Sequence, residues 1–266
     1  MSNDIAWLAL WLDAPLQSWG FESRFERRHT AMFPTKSGVL GLVLAAMGVP
    51  KGSTREHDTL AAFSPPGEGM ACALVPRRNP HHKDDPLPLR RLTDYHTIQN
   101  YRTADNPKPR AEDTVQSWRD YLVDARFGVL LPGKAEVVTE AARHLLDPVW
   151  GVWLGRKSCP PASPVLARVP ELEVAPGVFS TREKAWEALL RHANLSDGVE
   201  TTVVPQLEDF ARVEDAPDFA SGTDTWNDQP LRFGTVTSSG VEGREFAPRR
   251  VRVDRHRPIE NPKSKI

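Results

Sequence analysis

Cysteine is scarce: Cys72 and Cys159 are the only two in 266 residues. They bring no CxxC pair and no Cys/His cluster, which excludes the usual structural zinc modules. Two distant thiols suit a reducing cytosol and read as ordinary buried small residues, so a cytoplasmic location is expected. Long hydrophobic runs are missing as well. Nothing approaches the ~18 apolar residues of a membrane-spanning helix, and no membrane partner is expected. Met1–Asp4 put no basic residue ahead of the short apolar stretch Ile5–Leu12, which argues against a secretory signal there. Two enzyme signatures are absent too. Lys36-Ser37 lacks the Gly-x-x-x-x-Gly that precedes the lysine of a phosphate-binding loop, and no Gly-x-Ser-x-Gly elbow occurs. His81-His82-Lys83-Asp84-Asp85 has the residue types of a metal site without its spacing. Neither a metal nor another cofactor is expected.

The chain also lacks an excess of one charge, its net charge being -1. The charges are nevertheless unevenly placed. Basic residues gather at Arg24, Arg27, Arg28, His29 and Lys36, again between Arg77 and Arg91, and again from Arg244 to Arg257. Acidic residues concentrate between Glu208 and Asp228. A nearly neutral chain of this kind can present a basic face to nucleic acid, or simply a mixed solvated surface.

Ile5–Leu12 is apolar throughout and reads as a strand buried on both faces. A helix follows, capped by Thr35 or Ser37 and running to Met47, where Gly48 and Pro50 end it. A second short helix is expected from Ser53 to Phe63. Strands are expected at Met70–Val75, Phe127–Leu131 and Val149–Leu154, with a helix over Lys134–Leu146. Leu92–Ile98 and Val115–Leu122 alternate like the two arms of a long hairpin. The order strand, helix, strand, hairpin, strand, helix, strand is that of the ferredoxin-like fold, shared by the RRM. The expected fold is therefore α+β: a ferredoxin-like, RRM-like domain over 1–160 with a hairpin inserted at about 77–122. Residues 161–266 are expected to be a smaller, irregular region. It would hold one helix at Thr181–Ala193, a strand at Thr201–Val204, an acidic loop at Glu208–Asp228 and a basic, partly disordered tail from Glu245.

Four segments can carry chemistry. The turn Asp13–Gly20 offers Gln17, Ser18 and Trp19, an amide, a hydroxyl and an indole suited to a base, or merely a hydrophobic lid. Pro34–Gly38 starts a helix with Thr35, Lys36, Ser37 and Gly38, where free N–H groups and the positive end of the dipole favour an anion. By itself it is equally a capped core helix. Asp94-Tyr95-His96-Thr97 supplies groups for base contact or for metal-independent general acid–base cleavage of RNA. Leu154–Pro160 carries Arg156 and Lys157 directly after an expected strand, either a phosphate clamp or a charged turn.

In order and spacing, Pro15–Gly20, Phe33–Leu42, Asp94–Thr97, Gln116–Leu122 and Leu154–Pro160 resemble the CasD subunit family of Cascade, the type I-E CRISPR interference complex of the RAMP superfamily. The resemblance covers the first 160 residues well and the remainder poorly, leaving the tail 233–266 without a role. It implies a ferredoxin-like body with a β-hairpin thumb. It also implies a subunit that holds the 5′ handle of the CRISPR RNA, touches the CasC backbone and the large CasA subunit, and meets target DNA through the assembled complex. In type I-E systems a different subunit cuts the precursor RNA, whereas related type I-C subunits cut it with tyrosine, lysine and histidine. A non-catalytic RNA-binding subunit is thus expected, with a metal-independent endoribonuclease as the alternative and a purely structural adaptor as a third possibility. In the first case Thr35, Lys36, Ser37 and Gly38 would grip phosphate, helped by Arg24, Arg27, Arg28, Arg102, Arg156 and Lys157. Gln17, Ser18, Trp19, Tyr95 and His96 would meet bases.

Overall fold

The computed structural model describes residues 5–21, 26–77, 87–101, 110–196, 211–217, 220–237 and 240–254. Its strands are β1 (Ile5–Asp13), β2 (Leu16–Gln17), β3 (Trp19–Gly20), β4 (Arg27–Arg28), β5 (Thr30–Ala31), β6 (Ala71–Leu74), β7 (Arg90–Tyr101), β8 (Arg110–Val123), β9 (Arg126–Lys134), β10 (Val178–Phe179), β11 (Arg212–Asp215), β12 (Asp224–Arg232), β13 (Thr235–Thr237), β14 (Gly240–Glu242) and β15 (Glu245–Asp254). Its helices are α1 (Lys36–Ala46), α2 (Thr54–Ala62), α3 (Ala135–Leu146) and α4 (Arg182–Ser196).

Alternation along β1 explains the centre of the molecule, because successive side chains of a strand point to opposite faces. Ala6, Leu8, Leu10 and Leu12 enter a core shared with Val39, Leu40 and Val43 of α1 and Val138 and Ala142 of α3. Trp7, Ala9 and Trp11 enter a second core with Trp186 and Leu189 of α4. A strand so sandwiched has no polar face, which is why its sequence is apolar throughout. β1 lies in a seven-stranded antiparallel sheet of order β10-β1-β9-β6-β11-β15-β12.

Three stretches depart from the sequence expectation. Val149–Leu154 is not a strand. Its N–H groups are taken by the C-terminal end of α1, with Val149 N donating to the Ala46 carbonyl at 2.9 Å and Trp150 N to that of Ala45 at 3.3 Å. The neighbour of β1 on that side is instead β10, a two-residue strand far along the chain. The stretch Glu208–Asp228, expected as an acidic loop, contains β11 and the start of β12. Glu245–Asp254, expected as the start of a disordered tail, is β15. These three strands prolong the main sheet beyond β6. The strand expected at Thr201–Val204 lies outside the described residues.

β7 and β8 form the long hairpin, in a register that pairs Leu92 with Tyr121 and Ile98 with Val115. The other edge of β8 takes β2 in antiparallel and β4 in parallel pairing, so the hairpin is rooted in the Asp13–Arg28 region.

Candidate nucleic-acid interface

The turn after β1 is folded inward. Gln17 is fully buried, its amide donating to the carbonyls of Leu12 at 2.9 Å and Ala125 at 2.7 Å. Its carbonyl accepts from the Trp19 indole at 3.1 Å. Ser18, also buried, donates to the Asp120 carbonyl at 3.0 Å. The three base contacts expected from this turn are thus spent inside the protein, where an unmade hydrogen bond would be costly. Two glycines let the neighbouring segments close on this turn. A Cβ at Gly38 would stand 2.8 Å from Trp19 Cε3, and one at Gly155 (φ 95°) would stand 1.6 Å from the Ser18 carbonyl oxygen. Three of the four segments singled out in the sequence are therefore neighbours, though packed against each other rather than lining an open pocket.

The start of α1 is likewise occupied. Thr35 caps it by accepting from Gly38 N at 3.2 Å, with Ser37 Oγ donating to Thr35 Oγ1 at 3.4 Å. The anion at this helix terminus is the Asp228 carboxylate, which accepts from Lys36 N at 2.7 Å. The Lys36 ammonium is buried and paired with Asp215 at 3.1 Å. Arg249 completes the cluster. It bonds both oxygens of Asp228, at 2.6 and 2.9 Å, and also pairs with Asp215. Burial by itself would lower the Arg249 pKa, but the hydrogen bonds and charges of Asp228 and Asp215 raise it, so it stays a cation. Asp228 lies within a bulge of β12 between Trp226 and Gln229, the kind of irregularity that redirects a side chain. Lys36 is therefore a structural cation joining the helix start to the C-terminal strands, which corrects its expected role as an open phosphate grip.

The exposed chemistry lies on the hairpin. Tyr95 and Trp118 are cross-strand partners with ring centroids 5.3 Å apart, and Arg27 on β4 sets its guanidinium 5.4 Å from the Trp118 ring. Tyr95 is 52% exposed, so one side of this row of ring, ring and cation is open. Two residues along each strand, on the same face, a polar row follows. Asp120 accepts from Thr93 at 2.6 Å and lies 2.9 Å from His29 Nδ1. Burial pushes the Asp120 carboxyl up, but the bonds from Thr93 and His29 and the charge of Arg91 outweigh it and hold the pKa below the usual carboxylate range. Trp118, His29 and Asp120 were not among the site residues expected from sequence, His29 having been noted only as part of a basic group. Trp118 and Asp120 stand in a quoted motif, but only the pairing register shows what they face.

His96 falls on the face opposite Tyr95, next to Asp94 at 3.9 Å. The two therefore diverge, which speaks against their joint action on one phosphate. Arg28 is exposed. Arg156 is a strut beside it, donating to the Arg28 carbonyl at 2.8 Å and the Asp120 carbonyl at 3.2 Å and covering the Tyr121 ring at 4.8 Å. Lys157 next to it is exposed. Arg24 and Arg102 lie outside the described residues. Among the described residues no three His, Cys, Asp or Glu side chains are grouped to hold a metal ion, and no helix is long and apolar enough to cross a membrane.

Residues 7–252 match the model of the family described as "CRISPR-associated protein (Cas_Cas5)". The CRISPR system Cascade subunit CasD of Escherichia coli (strain K12) is 35% identical over 164 residues, which cover 60% of this chain and 69% of that protein. Among solved structures, a chain of a CRISPR RNA-guided surveillance complex superposes with a TM-score of 0.59 at 24% identity, covering 93% of this chain and 89% of its own. A crystal structure titled as a Cas protein gives 0.53 at 25% identity, covering 93% of each chain. With the family model spanning nearly the whole chain, the protein belongs to the Cas5 family of CRISPR-associated proteins.

Proposed function

We propose that this chain is a non-catalytic RNA-binding subunit of a CRISPR surveillance complex of the Cascade kind, holding the 5′ handle of the CRISPR RNA. The observation that carries the reading is the open row Tyr95–Trp118–Arg27. Single-stranded RNA is gripped by aromatic planes that stack on bases and by cations that meet phosphates, and this row has both in one line. Arg28 and Lys157 are further exposed cations for the backbone. The strand order β10-β1-β9-β6, with helices between, supports a ferredoxin-like body, and the β7–β8 hairpin is the natural thumb. Contacts to the CasC backbone and the large CasA subunit, and through the assembly to target DNA, belong to the same reading. The test is binding of single-stranded handle RNA by the isolated chain and by Trp118→Ala. Loss of one stacked base is expected to weaken binding by about 1–3 kcal/mol. Equal affinity of the two proteins would remove the proposed platform.

A further inference from the structure

The segment between α3 and the Gly155 turn exposes an apolar ridge that no inward packing explains. Leu146 is 51% exposed, Val149 56%, Trp150 47% and Trp153 40%. An exposed apolar surface of this kind marks an interaction site when its members are contiguous and rimmed by polar groups. The ridge is also held in place. Val149 and Trp150 donate their N–H groups to the last carbonyls of α1 at 2.9 and 3.3 Å. Leu154 N donates to the Cys159 carbonyl at 2.8 Å, and its own carbonyl accepts from Ser18 N at 3.1 Å. Gly48 leaves room for Val149, since a Cβ there would stand 2.7 Å from Val149 Cγ1. A ridge fixed at both ends loses little freedom when it docks.

We infer that Leu146, Val149, Trp150 and Trp153 form a docking surface for another protein subunit of the complex, one that presents an apolar patch bordered by carboxylates. This rests on the reading of the chain as a subunit of a ribonucleoprotein. Three observations select the occupant. Two of the four side chains are aliphatic and about half exposed, and RNA offers them nothing to bury against. The Trp153 ring is backed by Gly151, whose Cβ would stand 2.9 Å from Trp153 Cζ2, so only its other side is available. Lys51, just beyond Gly48, and Arg143, a turn before Leu146, are exposed cations flanking the ridge in sequence, and Asp147 is an exposed carboxylate within it. Two copies of this chain would bring like-charged rims together, whereas an acidic rim on a different protein complements them.

The probe is the set of remaining protein subunits assembled on CRISPR RNA without this chain. Trp150→Ala and Trp153→Ala are each expected to weaken docking to that assembly at least about 30-fold, the size of a hot-spot loss. The isolated variants are expected to keep the wild-type unfolding temperature and affinity for handle RNA. Arg143→Glu is expected to slow association without touching the apolar residues, and it reads the same surface should a tryptophan variant fail to fold. Unchanged docking by all three variants overturns the inference. So does a loss of RNA affinity in the isolated chain that accounts for the docking loss, which would make the ridge an RNA platform. Self-association that disappears in the variants while docking persists would make the occupant a second copy and overturn it as well. Failure of the RNA reading looks different: the isolated wild-type chain would not bind RNA, while the tryptophan variants would still lose docking.

Discussion

Lys36 is held by two partners from distant parts of the chain, Asp215 by its ammonium and Asp228 by its backbone N–H. Replacing it with alanine leaves the Asp215 carboxylate with Arg249 and the Met70 N–H. With Asp215 still compensated by Arg249, the loss is that of one charged hydrogen bond, about 1.5–3 kcal/mol. Lys36→Ala is therefore expected to lower the unfolding temperature by several degrees, measured by thermal denaturation, and to leave the salt dependence of RNA binding as it was. Asp120 has a different dependence. Its pKa in the folded chain is below the ordinary value of about 4, so its contribution to stability is complete above that value and is lost as pH falls through the folded pKa. Asp120→Asn is expected to be less stable than the wild type at neutral pH and to lose less stability on acidification below about pH 4, measured by denaturant unfolding across pH.

At the scale of elements, the hairpin and the Gly155 turn form one unit. Arg156 ties the turn to the carbonyls of Arg28 and Asp120, and Ser18 lies against Gly155. Gly155 has φ 95° with backbone where its Cβ would go, so alanine there is strained twice over. Gly155→Ala is expected to cost more than about 1 kcal/mol in denaturant unfolding, and to loosen the root of the hairpin. Much at this scale was legible in the sequence. The continuous apolar run of β1, the hydroxyl before α1, the glycine after it and the alternation of β7 and β8 are local signals, and local signals survive without knowing the fold. β10 was not legible, since two residues carry no periodicity. Val149–Leu154 misled because an apolar run reads as a buried strand whether it faces a core or solvent.

At the scale of the whole molecule, the C-terminal strands are what the sequence obscured most. Asp215 and Asp228 look like parts of a solvated acidic loop until Arg249 and Lys36 stand beside them. The same holds for the candidate site. The indole at Trp19 and the cation at Lys36 were the conspicuous groups, yet both face inward; the open ring is Tyr95, and the half-buried Trp118 that joins it to Arg27 is visible only once β4, β7 and β8 are in register. The chain presents two exposed surfaces, the Tyr95–Trp118–Arg27 row, proposed to meet RNA, and the Trp150–Trp153 ridge, proposed to meet protein. The most direct test of the central claim is a salt titration of handle-RNA binding by the isolated wild type, Trp118→Ala and Arg27→Ala. The account predicts that Trp118→Ala lowers affinity about equally at every salt concentration, and that Arg27→Ala shallows the logarithmic salt slope by about 0.7, the loss of one phosphate contact on a single strand. Wild-type affinity and slope in both variants would contradict it.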